Sequence, residues 1–255
     1  MGWLPVFKKE LRLYFGSPVA YVVLVFFLAI SGFIFVRNFL AYSDSSMRSF
    51  MQPQFGQNLN TTEHLLGPLV FTMGFLLLFL MPLVSMRMFS EEWKSGTIEL
   101  LLTYPVRDGA VLAGKFLAAF VLYLVLLVLT LLYPGLVAYF VRVEWGAILS
   151  GYIGLLLLGG AFLAIGALIS SVTENQIVAA FGTFLVLLVF WLVSLAGEFS
   201  TGNLRYVFQY LSLPERLDGF TRGIIDTKDV VYYVTGIGLA LFLTLRSLES
   251  KRWNG

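Results

Sequence analysis

The sequence predicts an all-α membrane protein, a single domain over residues 1–255 with six transmembrane helices. Of its residues, 58% are hydrophobic and only 13% are charged, whereas soluble domains are about 45–50% apolar and about 25% charged. The mean hydropathy of +0.85 agrees with that bias. Six apolar runs come close to the roughly 20 residues that a helix needs to cross the hydrocarbon core. We therefore expect the membrane surfaces to be the only boundaries within the chain.

The first segment of the chain precedes the membrane spans and covers residues 3–16. Trp3, Phe7 and Leu11 alternate there with basic residues such as Lys8 and Arg12. A helix that is apolar on one side and basic on the other tends to lie in the plane of the membrane interface. We therefore predict an interfacial helix, the alternative being an ordinary basic flank of the first span.

Each predicted span is bounded by polar, Gly or Pro residues. Pro134–Gly135 ends or kinks the third span, and residues 136–141 can continue it beyond the kink. Residues 170–176 are expected to form a tight polar turn before the fifth span. The fourth span is rich in glycine, which lets membrane helices approach closely. The spans cover residues 20–39, 66–84, 110–132, 147–169, 177–196 and 230–245.

Charge placement predicts the orientation of the chain. An even number of spans puts both termini on one side, where ten Lys and Arg residues lie against seven on the other. Four of those seven belong to the longest loop, in which charge has less influence on topology. The positive-inside rule therefore predicts that both termini lie in the cytoplasm, and we expect a multi-pass protein of the cytoplasmic (inner) membrane.

Several kinds of chemistry are excluded by residues that the sequence lacks. There is no cysteine and only one histidine, His64, so thiolate sites and multi-histidine metal sites are excluded. Neither HExxH nor the phosphate-binding GxxxxGK[ST] occurs. No span has a charge near its middle, which argues against an ion-driven carrier, and a net charge of +2 gives no sign of a nucleic-acid partner. We expect neither catalysis nor a cofactor in this chain, so energy would come from a partner.

The polar segment between the second and third spans, residues 87–115, is predicted to contain two short helices. Glu91 and Glu92 suit the positive end of a helix dipole, and Ser95–Gly96 interrupts that helix. Thr97 can cap a second helix of about two turns that Pro105 stops.

That second helix is amphipathic and has two interpretations. Ile98, Leu101 and Leu102 occupy neighbouring faces, with Glu99 beside them. The helix could lie back on the lipid surface or dock on a partner protein. Anionic headgroups would repel its acidic residues, which favours docking.

The same segment resembles the cytoplasmic loop of ABC-2 type permeases. EEWKSGTIELLLTYPVRDGAVLAGK, residues 91–115, follows the pattern E-x-x-x-G-T-x-E-x-L-L-x-x-P-V, with Lys115 at the start of the third span. FKKELRLYFGSP is similar to the amphipathic elbow helix of that family and SSVTENQIVAA to its second cytoplasmic turn. LSLPERLDGFTRGIIDTKDVVYY is similar to the external segment before the last span, most like that of gliding-motility-type permeases.

The resemblance implies a specific architecture. Residues 3–16 would be the elbow helix, the helix between spans 2 and 3 would be a cytoplasmic coupling helix, and short external re-entrant helices within residues 211–229 would precede span 6. The residues that it assigns to coupling with an ATPase are Glu91, Glu92, Lys94, Gly96, Thr97, Ile98, Glu99, Leu101, Leu102, Pro105, Glu174 and Asn175.

The resemblance also implies partners. Two ABC ATPase subunits would carry the ATP and Mg, and a second permease chain, identical or similar, would complete a dimer through the first and fifth spans. Membrane lipid surrounds the assembly, and an extracytoplasmic accessory subunit is a further partner. The implied function is the membrane subunit of an ATP-driven exporter. The alternative is a non-transporting anchor or sensor that recruits a cytoplasmic ATPase or another partner.

Overall fold

Eleven α-helices and one π-helical turn, Thr62–Leu66, account for most of the residues that the structure describes. The structure is a computed structural model and describes residues 2–51, 61–96, 107–141, 143–199 and 202–253, among which no strand occurs. The helices are α1 Trp3–Gly16, α2 Pro18–Met51, α3 Gly67–Ser85, α4 Ser90–Lys94, α5 Asp108–Thr130, α6 Leu132–Phe140, α7 Trp145–Val172, α8 Gln176–Phe199, α9 Asn203–Leu211, α10 Leu213–Thr221 and α11 Thr227–Trp253.

The prediction of six transmembrane helices agrees with the structure. Six helical segments of the described chain are long and apolar enough to cross a membrane. Each contains or closely overlaps one predicted span, because a helix satisfies every backbone polar group where lipid offers no partner. These segments are Pro18–Ser49, His64–Lys94, Asp108–Phe140, Trp145–Val172, Gln176–Gly197 and Thr227–Ser250.

Two helices run further than their apolar runs suggested. Helix α2 continues from the first span to Met51, and the Ser45 hydroxyl donates to the Ala41 carbonyl at 2.8 Å. Helix α7 continues to Val172, so the predicted turn at residues 170–176 starts too early. The Ser171 hydroxyl donates to the Leu168 carbonyl at 2.7 Å. Serine hydroxyls can thus find partners within a helix, so a polar stretch need not end it.

The third span is broken as predicted, but before the proline rather than at it. Helix α5 ends at Thr130 and α6 begins at Leu132. A proline ring clashes with the carbonyl of the residue four positions earlier, which for Pro134 is Thr130. The break therefore begins where the clash would occur.

Helix α7 lies at the centre of the bundle and packs against α3, α5, α8, α10 and α11. Its glycines permit these close contacts. A Cβ atom at Gly159 would lie 2.3 Å from Cζ of Tyr123 on α5, and one at Gly166 would lie 2.0 Å from Oγ of Ser85 on α3. The packing role predicted for these glycines is confirmed at both positions.

Replacing Gly159 by alanine is expected to lower the free energy of unfolding by about 1–3 kcal/mol, because the added methyl group overpacks the contact with Tyr123. Detergent unfolding followed by circular dichroism would measure the change. Gly238→Ala on α11 is the matched control, since a Cβ atom there meets nothing within 4 Å. Equal effects of the two substitutions would contradict the packing role of Gly159.

The loops fall at two ends of the bundle. The N-terminal end is the end at which α1 lies. Four elements meet there: α1, α4, the beginning of α5 and the end of α7. At the opposite end, α10 packs against α3, α7 and α8, and its Leu217 and Phe220 are fully buried. Ser212 caps α10 by accepting a hydrogen bond from the Glu215 amide at 3.3 Å. The N-terminal end contains both described parts of the polar segment between the second and third spans, residues 87–96 and 107–115.

Candidate functional site

Helix α1 packs closely along the beginning of α5. A Cβ atom at Gly114 would lie 2.9 Å from Cβ of Val6 and 3.0 Å from the Trp3 carbonyl oxygen. The absence of a side chain at Gly114 therefore lets the two backbones approach. This contact brings Glu10 of α1, which is only 8% exposed, next to Lys115 on α5.

A buried ion cluster joins α1, α4 and α5, and it consists of Lys9, Glu10, Glu92 and Lys115. The Lys115 ammonium lies 3.0 Å from Oε1 of Glu10 and 2.9 Å from Oε1 of Glu92. Lys9 is exposed and lies 3.7 Å from the same Glu92 oxygen. Lys115 is 2% exposed. The cluster is neutral overall, but Lys9 remains in water, so Lys115 is the buried cation that compensates the two buried carboxylates.

The position of Glu92 changes the interpretation of its role. The resemblance implied that Glu92 orients the contact with an ATPase, but its carboxylate is 9% exposed and faces Lys115 within the bundle. A contribution of Glu92 to coupling would therefore pass through the ion pair and not through a direct contact. Glu91 and Lys94, on the same short helix, are exposed.

Ser170 of α7 holds the beginning of α4. Its hydroxyl oxygen accepts hydrogen bonds from the backbone amides of Phe89 at 3.0 Å and Ser90 at 3.1 Å. The same hydroxyl donates to the Met86 carbonyl at 3.0 Å. A side chain from another helix thus satisfies the free amides of the α4 N-terminus, as a local capping residue usually does. Helix α4 is thereby fixed to the central helix of the bundle.

The second turn at this end is short and consists of residues 173–175, between α7 and α8. Asn175 Oδ1 accepts a hydrogen bond from the Ile177 amide at 2.9 Å, and the Thr173 hydroxyl oxygen accepts one from the Asn175 amide at 3.2 Å. Asn175 is therefore the N-cap of α8. Glu174 is exposed, so its carboxylate remains accessible at this surface.

The remaining predicted coupling residues divide into two groups. Gly96 ends the segment after α4 with a φ of 68°, a left-handed conformation that favours glycine, which agrees with the predicted interruption at Ser95–Gly96. The other residues lie outside the described part of the chain, and they are Thr97, Ile98, Glu99, Leu101, Leu102 and Pro105.

Tyr14 and Arg87 connect α1 to the end of α3 beside the ion cluster. The Tyr14 hydroxyl donates to the Val84 carbonyl at 3.1 Å, and Arg87 Nη1 donates to Oγ of Ser17 at 3.2 Å. Burial, reinforced by the nearby Glu10 carboxylate, raises the pKa of the Tyr14 hydroxyl above its ordinary value. Tyr14 therefore remains a neutral donor.

Sequence reasoning missed two residues of this site, Glu10 and Ser170. Glu10 is the only acid among the basic residues of α1. A single acid on such a helix indicates that its carboxylate pairs with a cation inside the protein. Lys115 was noted only for its place in the loop pattern, although its apolar neighbours indicate a buried ammonium that needs a counter-charge. No sequence signal indicated Ser170, because its hydrogen bonds reach across 80 residues or more.

Comparison with known proteins adds one match. The model of a family described as ABC-2 family transporter protein matches residues 4–213. These residues include every element of the site described above. A search of the curated proteins finds no match.

Proposed function

The chain belongs to the ABC-2 family of transporter proteins, and on that premise we propose that it is the permease subunit of an ATP-driven exporter. Membership of the family implies association with an ABC ATPase. In the proposed complex two such ATPases hold the ATP and Mg, and this chain neither hydrolyses ATP nor binds a cofactor. ATP-driven closure of the two ATPases moves an as yet unidentified substrate outward.

The observation that carries this proposal is the buried ion cluster. Helix α4 lies immediately before the predicted coupling helix, and Glu92 joins α4 to Lys115 on the third span and, through it, to Glu10 on α1. Ser170 joins α4 to the fourth span. A displacement of the predicted coupling helix would therefore be transmitted to α1 and to the third and fourth spans. The connections are buried ion pairs and hydrogen bonds, which are directional.

The exposed residues around this cluster supply a surface for the ATPase. Glu91, Lys94 and Glu174 are exposed, and the predicted helix with Ile98 and Leu101 would follow directly after Gly96. In this arrangement the charged residues orient the ATPase and the apolar ones fill its groove. An interface with a buried apolar centre and a polar rim is typical of stable protein contacts.

The proposal extends to the opposite end and to a second permease chain. Helix α10 is short and its apolar side chains are buried against α3 and α7, which suits a re-entrant element at the exit of the pathway. Exposed apolar side chains on the first and fifth spans, among them Phe33 and Phe181, suit a dimer contact. The proposal also includes an accessory subunit on the extracytoplasmic side. The chain lies in the inner membrane, and both of its termini lie in the cytoplasm.

The experiment that tests the proposal is purification of the tagged chain and identification of the ABC ATPase that co-purifies with it. Glu99→Lys and Leu101→Glu are each expected to abolish association, because a reversed or buried charge opposes docking. Glu249→Lys, a charge reversal near the end of α11, is the matched control and should retain the ATPase. Retention of the ATPase by both loop variants would overturn the docking role.

A second measurement separates the exporter from a non-transporting anchor. Co-reconstitution of the wild-type chain with the ATPase in vesicles is expected to raise ATP hydrolysis relative to the ATPase alone. Association without any rise in hydrolysis would favour the anchor.

A further inference from the structure

A cleft of about 360 Å³ opens beside the ion cluster, where α1 turns into the first span. Its lining comes from α1, the start of α2, the end of α3, α4 and α5. We propose that this cleft binds the phosphodiester group of a phospholipid from the leaflet on the N-terminal side. The proposal is independent of the exporter function, since it concerns this chain alone.

The charges that line the cleft favour a phosphate. Arg12 and Arg87 contribute two guanidinium groups, and Glu10 and Glu91 contribute two carboxylates. The charge of Glu10 is already compensated by Lys115 at 3.0 Å. Glu91 and Arg12 are both exposed to solvent, so water screens both of their charges. The half-buried Arg87 forms no ion pair among the described residues, so its guanidinium is the least screened charge of the cleft that lacks a counter-charge.

Arg87 has an unsatisfied donor at this position. Its Nη1 donates to Ser17 at 3.2 Å, whereas its Nε is inaccessible and has no hydrogen-bond partner among the described residues. A buried donor without an acceptor is costly. A phosphate oxygen in the cleft would accept from the Arg87 guanidinium, and phosphate matches its planar array of donors.

The apolar side of the cleft identifies the ligand as a lipid rather than free phosphate. Val19 and Val23 of the first span, Leu83 of the second and Leu122 of the third form that side. Inorganic phosphate would leave this surface without a partner, whereas the glycerol and acyl chains of a phospholipid would cover it. Basic pockets between transmembrane helices bind anionic lipid headgroups in this way.

The cleft also lies at the depth where headgroups are expected. Ser17 separates the amphipathic helix α1 from the first span, and an amphipathic helix of this kind lies between headgroups and acyl chains. Arginine side chains at such a junction reach the phosphate layer. The position, the Arg87 guanidinium that lines the cleft and the apolar side thus lead to the same ligand.

The test is native mass spectrometry of the purified full-length chain titrated with phosphatidylglycerol in detergent. Arg87→Gln and Arg12→Gln are each expected to weaken the first bound lipid about tenfold, the effect of removing a charge-assisted hydrogen bond. Arg246→Gln is the matched control, an arginine on α11 that lies outside the cleft and pairs with Glu249 at 2.8 Å. Equal affinity in the wild type and Arg87→Gln would overturn the proposal, as would an equal loss in Arg246→Gln.

A gain-of-binding variant makes the result independent of misfolding. Glu91→Gln removes the one uncompensated carboxylate and is expected to tighten lipid binding several-fold. Unchanged or weaker binding in this variant would contradict the charge argument. A parallel titration with inorganic phosphate distinguishes a phospholipid headgroup from free phosphate as the source of the bound phosphate group. If phosphate alone displaced the bound lipid at equal concentration, the site would be one for a free anion and the lipid proposal would fail.

Discussion

Lys115→Met is expected to lower the free energy of unfolding by about 3–5 kcal/mol, since removal of one partner leaves buried charge without compensation. The Lys115 ammonium is the nearest cation to both Glu10 and Glu92, at 3.0 and 2.9 Å, and all three side chains are buried. The exposed Lys9 lies 3.7 Å or more from both carboxylates and cannot replace it. Unfolding in a denaturing detergent, followed by circular dichroism, measures the loss.

The matched controls identify the cause of that loss. Arg246→Met removes a cation of an exposed ion pair on α11 and should cost no more than about 1 kcal/mol. Adding Glu10→Gln and Glu92→Gln to Lys115→Met removes the uncompensated charges and should restore most of the stability. A Lys115→Met variant as stable as the wild type would show that the cluster contributes nothing.

The triple variant also bears on the proposed transmission of movement. Its neutral side chains retain the packing of α1 against α5, but the charged connection from α4 to Lys115 is lost. If that connection transmits closure of the ATPase, the variant should bind the ATPase normally while stimulating its hydrolysis less than the wild type. If the triple variant stimulates ATP hydrolysis as strongly as the wild type, other contacts transmit the movement, and the hydrogen bonds of Ser170 are the strongest candidates.

The spans and the helix at residues 3–16 could be predicted from the sequence because their signals are local, whereas the position of that helix at the membrane interface stays a prediction. A run of about 20 apolar residues indicates a span whatever surrounds it. Helix α1 has the predicted bounds Trp3–Gly16 because Pro18 disfavours a helical conformation at Ser17, whose backbone is extended. Helix ends were less predictable. Ser170 and Ser171 are polar but belong to α7, since a hydroxyl can bond within a helix or reach a neighbouring one.

The ion cluster could not be predicted because it depends on tertiary structure. Glu10, Glu92 and Lys115 lie on three separate helices, and although the sequence around Glu10 and Lys115 indicates that each needs a partner, it does not indicate which residue that partner is. Only the close approach of α1 to Gly114 brings the three side chains together. The predicted coupling helix is the reverse case, since its sequence pattern is local and distinctive, but its residues from Thr97 to Pro105 lie outside the described part of the chain and their role stays a prediction.

Arg216→Met is expected to have the second-largest effect on stability, about 3 kcal/mol or more, at the opposite end of the bundle. Arg216 of α10 is 5% exposed and forms an ion pair with the buried Asp229 at the start of α11. Its Nη2 also donates to the Tyr210 carbonyl at 2.9 Å. The guanidinium lies 4.3 Å from the ring centroid of Tyr210 and 4.6 Å from that of Tyr232, so a single side chain connects α9, α10 and α11.

The neighbouring Arg222 provides the matched control. Its ion pair with Asp218 has a distance of 2.8 Å, but its side chain is 63% exposed, so Arg222→Met should change the unfolding free energy by less than about 1 kcal/mol. Hydrogen exchange should show faster opening of α9 and α10 in Arg216→Met alone. Combining Arg216→Met with Asp229→Leu removes the uncompensated carboxylate. The double variant should therefore recover stability, and a failure to recover would mean that the stacking of Arg216 between the two tyrosines, and not its charge, holds this end together.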